Sequence, residues 1–386
     1  MVFQRSLYSD KSRGKAKGFS YVFLKAFGDS LNQKTADKGA DDDDNGIYQR
    51  PKHGGIVTFR QMTFKHRHGT MPKMKNADSV YDESPAYPWY KTISVPSMRP
   101  VTIRCFVTIL INFFLRQYHA AFLPGRVPVS RVDHPLDQKI PFIPSWVTIY
   151  LDFVFFWLRM LTFLLKKFGR RSFPEVRNFI ETMGGLYVFA CESYRKNFST
   201  TERPFYIARP RFFIIHLLDP HLMCIPSLHV MVVIRTYTKF AEILRSYGEA
   251  ENHAAQIEEI KQGALAISQA ILYVKQHSVN CIPAALYAMT RFDEKLFPPE
   301  EAEAFTALLF GEAPPAPSFA GSPPANYRVR PWAAPCARIS PEDAAVVKAH
   351  IISLYRRFLA EGKTAAAGGH SWEKPLLDFM RDMPRK

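Results

Sequence analysis

The chain has 386 residues, of which 47% are hydrophobic and 22% charged, a composition ordinary for a protein that buries a core and one that excludes disorder throughout. A formal charge of +16 at neutral pH implies an anionic partner, and nucleic acid, acidic lipid headgroups and phosphorylated substrates all qualify. Five cysteines (Cys105, Cys191, Cys224, Cys281, Cys336) are odd in number and form no C-x-x-C pair, which argues against a disulfide framework and a zinc site. They read as buried free thiols.

Residues 1–95 are polar, mixed in charge and without sustained periodicity, and read as a largely disordered extension. Arg5, Lys11, Arg13, Lys15 and Lys17 precede no apolar stretch, so no cleaved signal peptide is expected. Asp41 to Asp44 lack the alternating spacing and the turn glycine of a calcium loop and read as a solvated acidic run. From Val101 the pattern changes to apolar segments bordered by basic residues. The first covers 101–115 and the second 142–165, which is long enough to cross a bilayer at about 1.5 Å per residue. Arg104 interrupts the first and Asp152 and Arg159 the second, each at about 2.5 to 3.5 kcal/mol if placed at a membrane centre. Spaced seven apart, Asp152 and Arg159 share one helix face and can look into a bundle interior. Mean hydropathy is −0.15, low for a polytopic protein. A membrane-embedded or membrane-abutting bundle is nevertheless expected, at the cell membrane and either multi-pass or tightly associated.

Segments 179–190, 204–218, 230–234 and onward, and 264–289 lack strict alternation and read as helices. Residues 311–337, with Pro314-Pro315 and Pro323-Pro324, read as an extended linker. Ser340-Pro341-Glu342-Asp343 then supplies an N-cap, a proline at the first helical position and acidic residues in the first turn. The helix it opens is expected to reach Glu361 and stop at Gly362. The expected fold is therefore all-α: a polar extension (1–95), a helical core (100–297), a Pro/Ala-rich linker (311–339) and an amphipathic helical appendage (340–386).

Three stretches carry chemistry: Lys196 followed after six residues by Arg203-Pro204, then Pro226-Ser227-Leu228-His229, then Lys275-Gln276-His277. A phosphate ester dianion must be neutralised before a nucleophile approaches phosphorus, and its leaving oxygen needs a proton. Lys196 and Arg203 suit the first task, Lys as a point charge and Arg through its planar fork. A helix beginning near Pro226 aims the free N–H groups around Ser227 outward, and with the Ser227 hydroxyl they form an anion site within reach of His229. His216, Asp219 and His221 are nearby, but Asp219-Pro220 breaks the helix between them and spoils a metal-ligand spacing, so no metal is expected.

In this order the stretches resemble the motifs of the type 2 phosphatidic acid phosphatase superfamily: Lys-x6-Arg-Pro, Pro-Ser-Gly-His and Ser-Arg-x5-His-x3-Asp. The first matches in full. Leu228 replaces the glycine of the second, a variant that looks like the inositol-phosphorylceramide-synthase branch. The third keeps His277 alone: Ala270-Ile271 stand for Ser-Arg, and Cys281 stands where the family's Asp orients the histidine. Lys275 compensates in charge but not in fork geometry, and Asn280 is an adjacent hydrogen-bond acceptor. The resemblance implies a helical bundle, His229 as general acid, His277 as nucleophile forming a phosphohistidine, no cofactor, and a phosphorylated lipid as substrate at a membrane. The alternative is a catalytically impaired member that binds phosphorylated headgroups or serves as a membrane scaffold. A carboxylate such as Asp152, Glu181 or Glu192 reaching His277 would favour the enzyme. A basic nucleic-acid-binding protein is a third reading, and the lack of a basic recognition helix or zinc module counts against it.

Overall fold

The computed structural model describes residues 79–311 and 339–385, apart from 124, 126 and 207. The expected extension up to residue 78, with its acidic run, and the linker between 312 and 338 lie outside the described residues.

Helices α1 (Tyr87–Ser94) and α2 (Arg99–Ile109) each carry a proline in the first turn, where the missing N–H has no intrahelical partner to lose. Helix α2 continues through a π-helical turn (Leu110–Leu115) into α3 (Arg116–Phe122). Strand β1 (Val129–Arg131) and a 3-10 turn (Pro135–Lys139) follow, and His134 and Asp137 cap that turn reciprocally. Helix α4 (Val147–Leu151) bends into α5 (Phe153–Phe168), which ends at Gly169 with φ 52°, a conformation that favours glycine. Helix α6 (Phe173–Lys196) leads into strand β2 (Phe198–Thr200), which pairs parallel with β1 in the register Val129 to Phe198, Ser130 to Ser199 and Arg131 to Thr200. Helices α7 (Pro210–Leu218), α8 (Leu228–Ser246), α9 (Ala254–Tyr273), α10 (Cys281–Phe292) and α11 (Pro299–Leu308) complete the first stretch. Beyond the linker come α12 (Pro341–Ala367) and α13 (Lys374–Arg381).

The expectation of an all-α bundle holds, with α8 at its centre against α5, α6, α9 and α10. Val230, Val232, Val233 and Ile234 are poor helix formers by propensity, yet all four are fully buried, so packing rather than propensity holds this helix.

Several boundaries move. The chain is already packed from Ser79: Val80 is fully buried, its N–H and the Ser79 hydroxyl donate to the Glu259 carboxylate, and the Arg159 guanidinium lies 4.4 Å over Tyr81. Segment 264–289 is two helices, with residues 274–280 between them as a loop that carries His277. Residues 204–206 belong to no helix, and α7 starts only at Pro210. Ser340 caps α12 through the Asp343 N–H as expected, but the helix runs past Gly362 to Ala367. Gly362 is there for closeness, because a Cβ would collide with the Tyr287 hydroxyl. Nor is the C-terminal pair an appendage: α12 packs on α10 while Leu376, Phe379 and Met380 are buried and Met380 O accepts from Ser130.

Among the described residues one helix, Arg99–Phe122, is long and apolar enough to cross a membrane, and the bent pair Pro144–Leu151 and Phe153–Lys196 adds a second only if counted as one span. A multi-pass arrangement is thus not supported among the described residues, since the remaining apolar helices bury their hydrophobic faces against one another.

Asp152 and Arg159 do look inward, joined by two hydrogen bonds of 2.8 and 2.9 Å with little exposure on either side. Arg159→Leu leaves a buried, unpaired carboxylate and is expected to cost about 3 to 5 kcal/mol in urea unfolding, most of it recovered when Asp152→Asn is added.

Candidate active site

Two loops and the start of α8 converge on a cavity of about 20 Å³, room for one water-sized group. Its walls include Tyr150, Asp219, His221, Cys224, His229 and His277.

The first loop, residues 219–227, joins α7 to α8 and is gripped by β2. Ser199 N–H donates to Leu222 O at 3.0 Å, and Ser199 Oγ accepts from the N–H groups of Cys224 (3.1 Å) and Ile225 (2.7 Å). Gln117 Oε1 takes the Leu222 N–H, and the Tyr194 hydroxyl donates to Pro226 O. With its backbone satisfied in this way, the loop can turn polar side chains into a helical core. His221, at φ 57°, is one of three non-glycine residues with positive φ among the described residues, and Lys275 of the second loop is another. Strained backbone thus sits on both sides of the cavity.

The second loop, residues 274–280, is tied to the 3-10 turn at Pro135–Lys139. Lys275 donates to the carbonyls of Asp137 and Ile140, and Asp137 Oδ1 accepts from Val279 N–H at 2.8 Å. His277 is held between these anchors.

The histidines of the second and third motifs meet. The His229 ring stacks on Tyr150 (4.5 Å between centroids), lies 4.2 Å from Phe153, and stands 5.3 Å from His277. His221 is 6.2 Å from His277 on the other side. Arg203 comes in behind: it donates to Gln276 Oε1 (3.2 Å) and Asp219 O (3.3 Å) and lies 3.7 Å from the Asp219 carboxylate.

Other expected ligands are elsewhere. Lys196, expected to bind phosphate, gives its ammonium to Glu373 ahead of α13, because the C-terminal helices pack where the sequence suggested an appendage. The Ser227 hydroxyl is fully buried, has no hydrogen-bond partner and does not line the cavity. Lys275 is committed to the two carbonyls. Asn280 donates to Val132 O and bonds His350 at 2.9 Å, so it does not serve His277. Of the three carboxylates considered, Asp152 pairs with Arg159, Glu181 lies 4.0 Å from Arg104, and Glu192 accepts from Trp372. None reaches His277, whose buried Nδ1 has no partner.

In their place stands a cluster of which only Asp219 and His221 were weighed in the sequence, as metal ligands. His221 Nε2 is 2.8 Å from Thr201 Oγ1 and 3.6 Å from Cys224 Sγ, and its Nδ1 is 3.8 Å from Asp219. Burial alone pushes the Cys224 thiol up, but a hydrogen bond from Cys281, the His221 charge and a hydrogen bond from His277 together hold it well below the usual thiol range. Cys281 moves the opposite way, pushed well up by burial and by its neighbour Cys224. Burial works against charge on His221 too, yet Cys224 and Asp219 raise it to about 9. Burial and the adjacent His277 lower His229 to about 3. Among the described residues no group of three or more His, Cys, Asp or Glu is placed to hold a metal. The sequence signal for this cluster was weak: Asp219, His221 and Cys224 sit within six residues of one another, but only the turn folds them together. No family model, curated protein or solved structure matches the chain.

Acid works against this arrangement. Below pH 6.5 the unfolded chain takes a proton on residue 229 that the folded chain refuses until about pH 3, so stability is full above 6.5 and falls as pH drops through that window. His350, lowered to about 4 by burial and the charge of His134, adds in the same direction. For His229 the unfolding free energy in urea should fall by about 1.4 kcal/mol per pH unit across that window, and the partly exposed His350 adds less. His229→Phe, which keeps the stacking, should flatten that slope. An unchanged slope would mean that the His229 ring titrates normally in the folded protein.

Proposed function

We propose that this chain is a phosphatase or phosphotransferase acting on a lipid phosphate through a phosphohistidine at His277. The observation that carries the reading is the meeting of His229 and His277, from two separate motif stretches, across one cavity with Arg203 fixed beside it. His277 attacks phosphorus as the bond to the leaving lipid oxygen breaks, and Arg203 and the His221 imidazolium neutralise the phosphoryl oxygens. His229 protonates the leaving oxygen. It is neutral in the closed site, and a dianion beside it favours its charged form, so the substrate itself loads the acid. Water or a lipid hydroxyl then takes the phosphoryl group from His277. The cavity holds one water-sized group, so binding of a phosphoryl group requires the site to widen.

The membrane part of the proposal rests on α2 and α3. Ile103, Phe106, Val107, Ile111, Leu115 and Phe122 are exposed along one continuous helix, while its other side packs on α6 with Cys105 against Gly184. Each exposed side chain gains about 1.5 to 3 kcal/mol on entering an apolar phase. Arg104, near the start of the helix, can snorkel. Vesicles with anionic lipid should carry the wild-type protein on flotation, and Phe106→Glu with Ile111→Glu should release it. Unchanged flotation of the double variant would remove this helix from the proposal.

A second reading, headgroup binding or scaffolding without turnover, is favoured by the pairing of Lys196 with Glu373 and by the missing carboxylate on His277. One experiment separates the two: release of phosphate from phosphatidic acid, diacylglycerol pyrophosphate, isoprenyl pyrophosphate and phosphoinositide in mixed micelles. We expect release by wild type, an acid-labile phosphoryl adduct on His277, no adduct in His277→Ala, and a drop of about 10² to 10³ in Arg203→Ala. Equal release by wild type, His229→Ala and His277→Ala refutes the enzyme, and binding without release selects the second reading.

A further inference from the structure

The proposed phosphoryl chemistry leaves two cysteines at the site unused. Cys224 and Cys281 come from different elements, the 219–227 loop and the first position of α10, yet they are close enough neighbours that each thiol shifts the titration of the other. Cys224 lines the cavity; Cys281 is fully buried and does not, so a small molecule in the cavity meets Cys224 first with Cys281 beside it. His221 is 3.6 Å from Cys224 with Asp219 on its far side, and His277, with its Nδ1 buried and unpartnered, stands on the cavity wall. The cavity has room for a water-sized molecule, which suits a peroxide.

We propose that Cys224 and Cys281 form a peroxide-reactive dithiol, with Cys224 the attacking sulfur and Cys281 the resolving one. The Cys224 thiolate attacks one peroxide oxygen, the O–O bond breaks, and the leaving hydroxide takes the His221 proton and departs as water. Cys224 is now a sulfenic acid. Cys281 gives up its proton to the neutral His221, helped by the positive end of α10, and its thiolate attacks the Cys224 sulfur. The S–O bond breaks, hydroxide recovers that proton from His221, and a second water leaves. Two thiols have lost two electrons to one peroxide, and an external thiol reductant reverses the disulfide. The held-down Cys224 thiol and the raised His221 supply the thiolate and the proton that the first step needs. The resulting bond would tether the loop to α10 beside His277, so oxidation would also close the site to any other substrate.

The test is a thiol map and does not depend on phosphate release. The reduced full-length chain is treated with hydrogen peroxide, alkylated after denaturation, and digested for peptide mass analysis. We expect a Cys224–Cys281 disulfide while Cys105 and Cys191 remain alkylatable, and recovery of both thiols with dithiothreitol. Cys281→Ser should accumulate sulfenic acid on Cys224, captured by a cyclic dione, and His221→Gln should slow oxidation about tenfold. The wild-type map decides the matter even if a variant fails to fold. Cys224 left reduced at a peroxide dose that oxidises free glutathione in the same tube overturns the proposal. So does oxidation spread evenly over Cys105 and Cys191, or a Cys224 disulfide to any other partner.

Discussion

A helical core has almost no way to accept a buried loop, because every buried N–H and C=O outside a helix needs a partner. Ser199 meets that demand. Its backbone and hydroxyl together satisfy Leu222, Cys224 and Ile225, and its own strand is fixed by pairing with β1. Through that one buried residue, two strands of three residues each hold nine residues of irregular chain against the centre of the bundle. The positions of Asp219, His221 and Cys224, and the start of α8 that carries His229, follow from this grip.

The electrostatics follow from the same burial. Low exposure makes any charge in the cluster costly, so its groups are placed to support one another: Cys224 beside His221, and Asp219 beside His221 and Arg203. His229 has no such counter-charge in contact and lies between Tyr150 and Phe153, so it is driven neutral. Two histidines separated by one turn of loop and a helix start therefore end on opposite sides of neutrality. His221 can therefore carry positive charge beside the phosphoryl oxygens while His229 stays neutral until a dianion lies next to it, as the phosphoryl-transfer proposal requires.

Much of the helical architecture was legible. Apolar runs without alternation marked α5, α6, α8 and α9, the Ser340-Pro341 cap marked the start of α12, and the seven-residue spacing of Asp152 and Arg159 placed both on one face. One glycine misled in the other direction. Gly362 carried the signature of a helix stop, but the reason for a glycine there is the Tyr287 hydroxyl, a partner on a different helix. Residues 79–95 lacked periodicity because their contacts, Val80 with Glu259 and Tyr81 with Arg159, are made one residue at a time with distant helices.

For the candidate site, the sequence by itself determined the residue types and their order: Arg203, then His229, then His277, each at a spacing that named a chemistry. It also determined what is lacking, since Cys281 and Ala270-Ile271 are plain in the letters. Only the tertiary structure decided which of those residues meet. Lys196 is as good a phosphate ligand as Arg203 in one dimension, and the packing of α13 beside it hands its charge to Glu373 instead. His221 and Cys224 carry no motif, and they enter the cavity because Ser199 folds their loop inward. A motif records local spacing, whereas the meeting of side chains is set by long-range packing, and that packing is written across the whole chain.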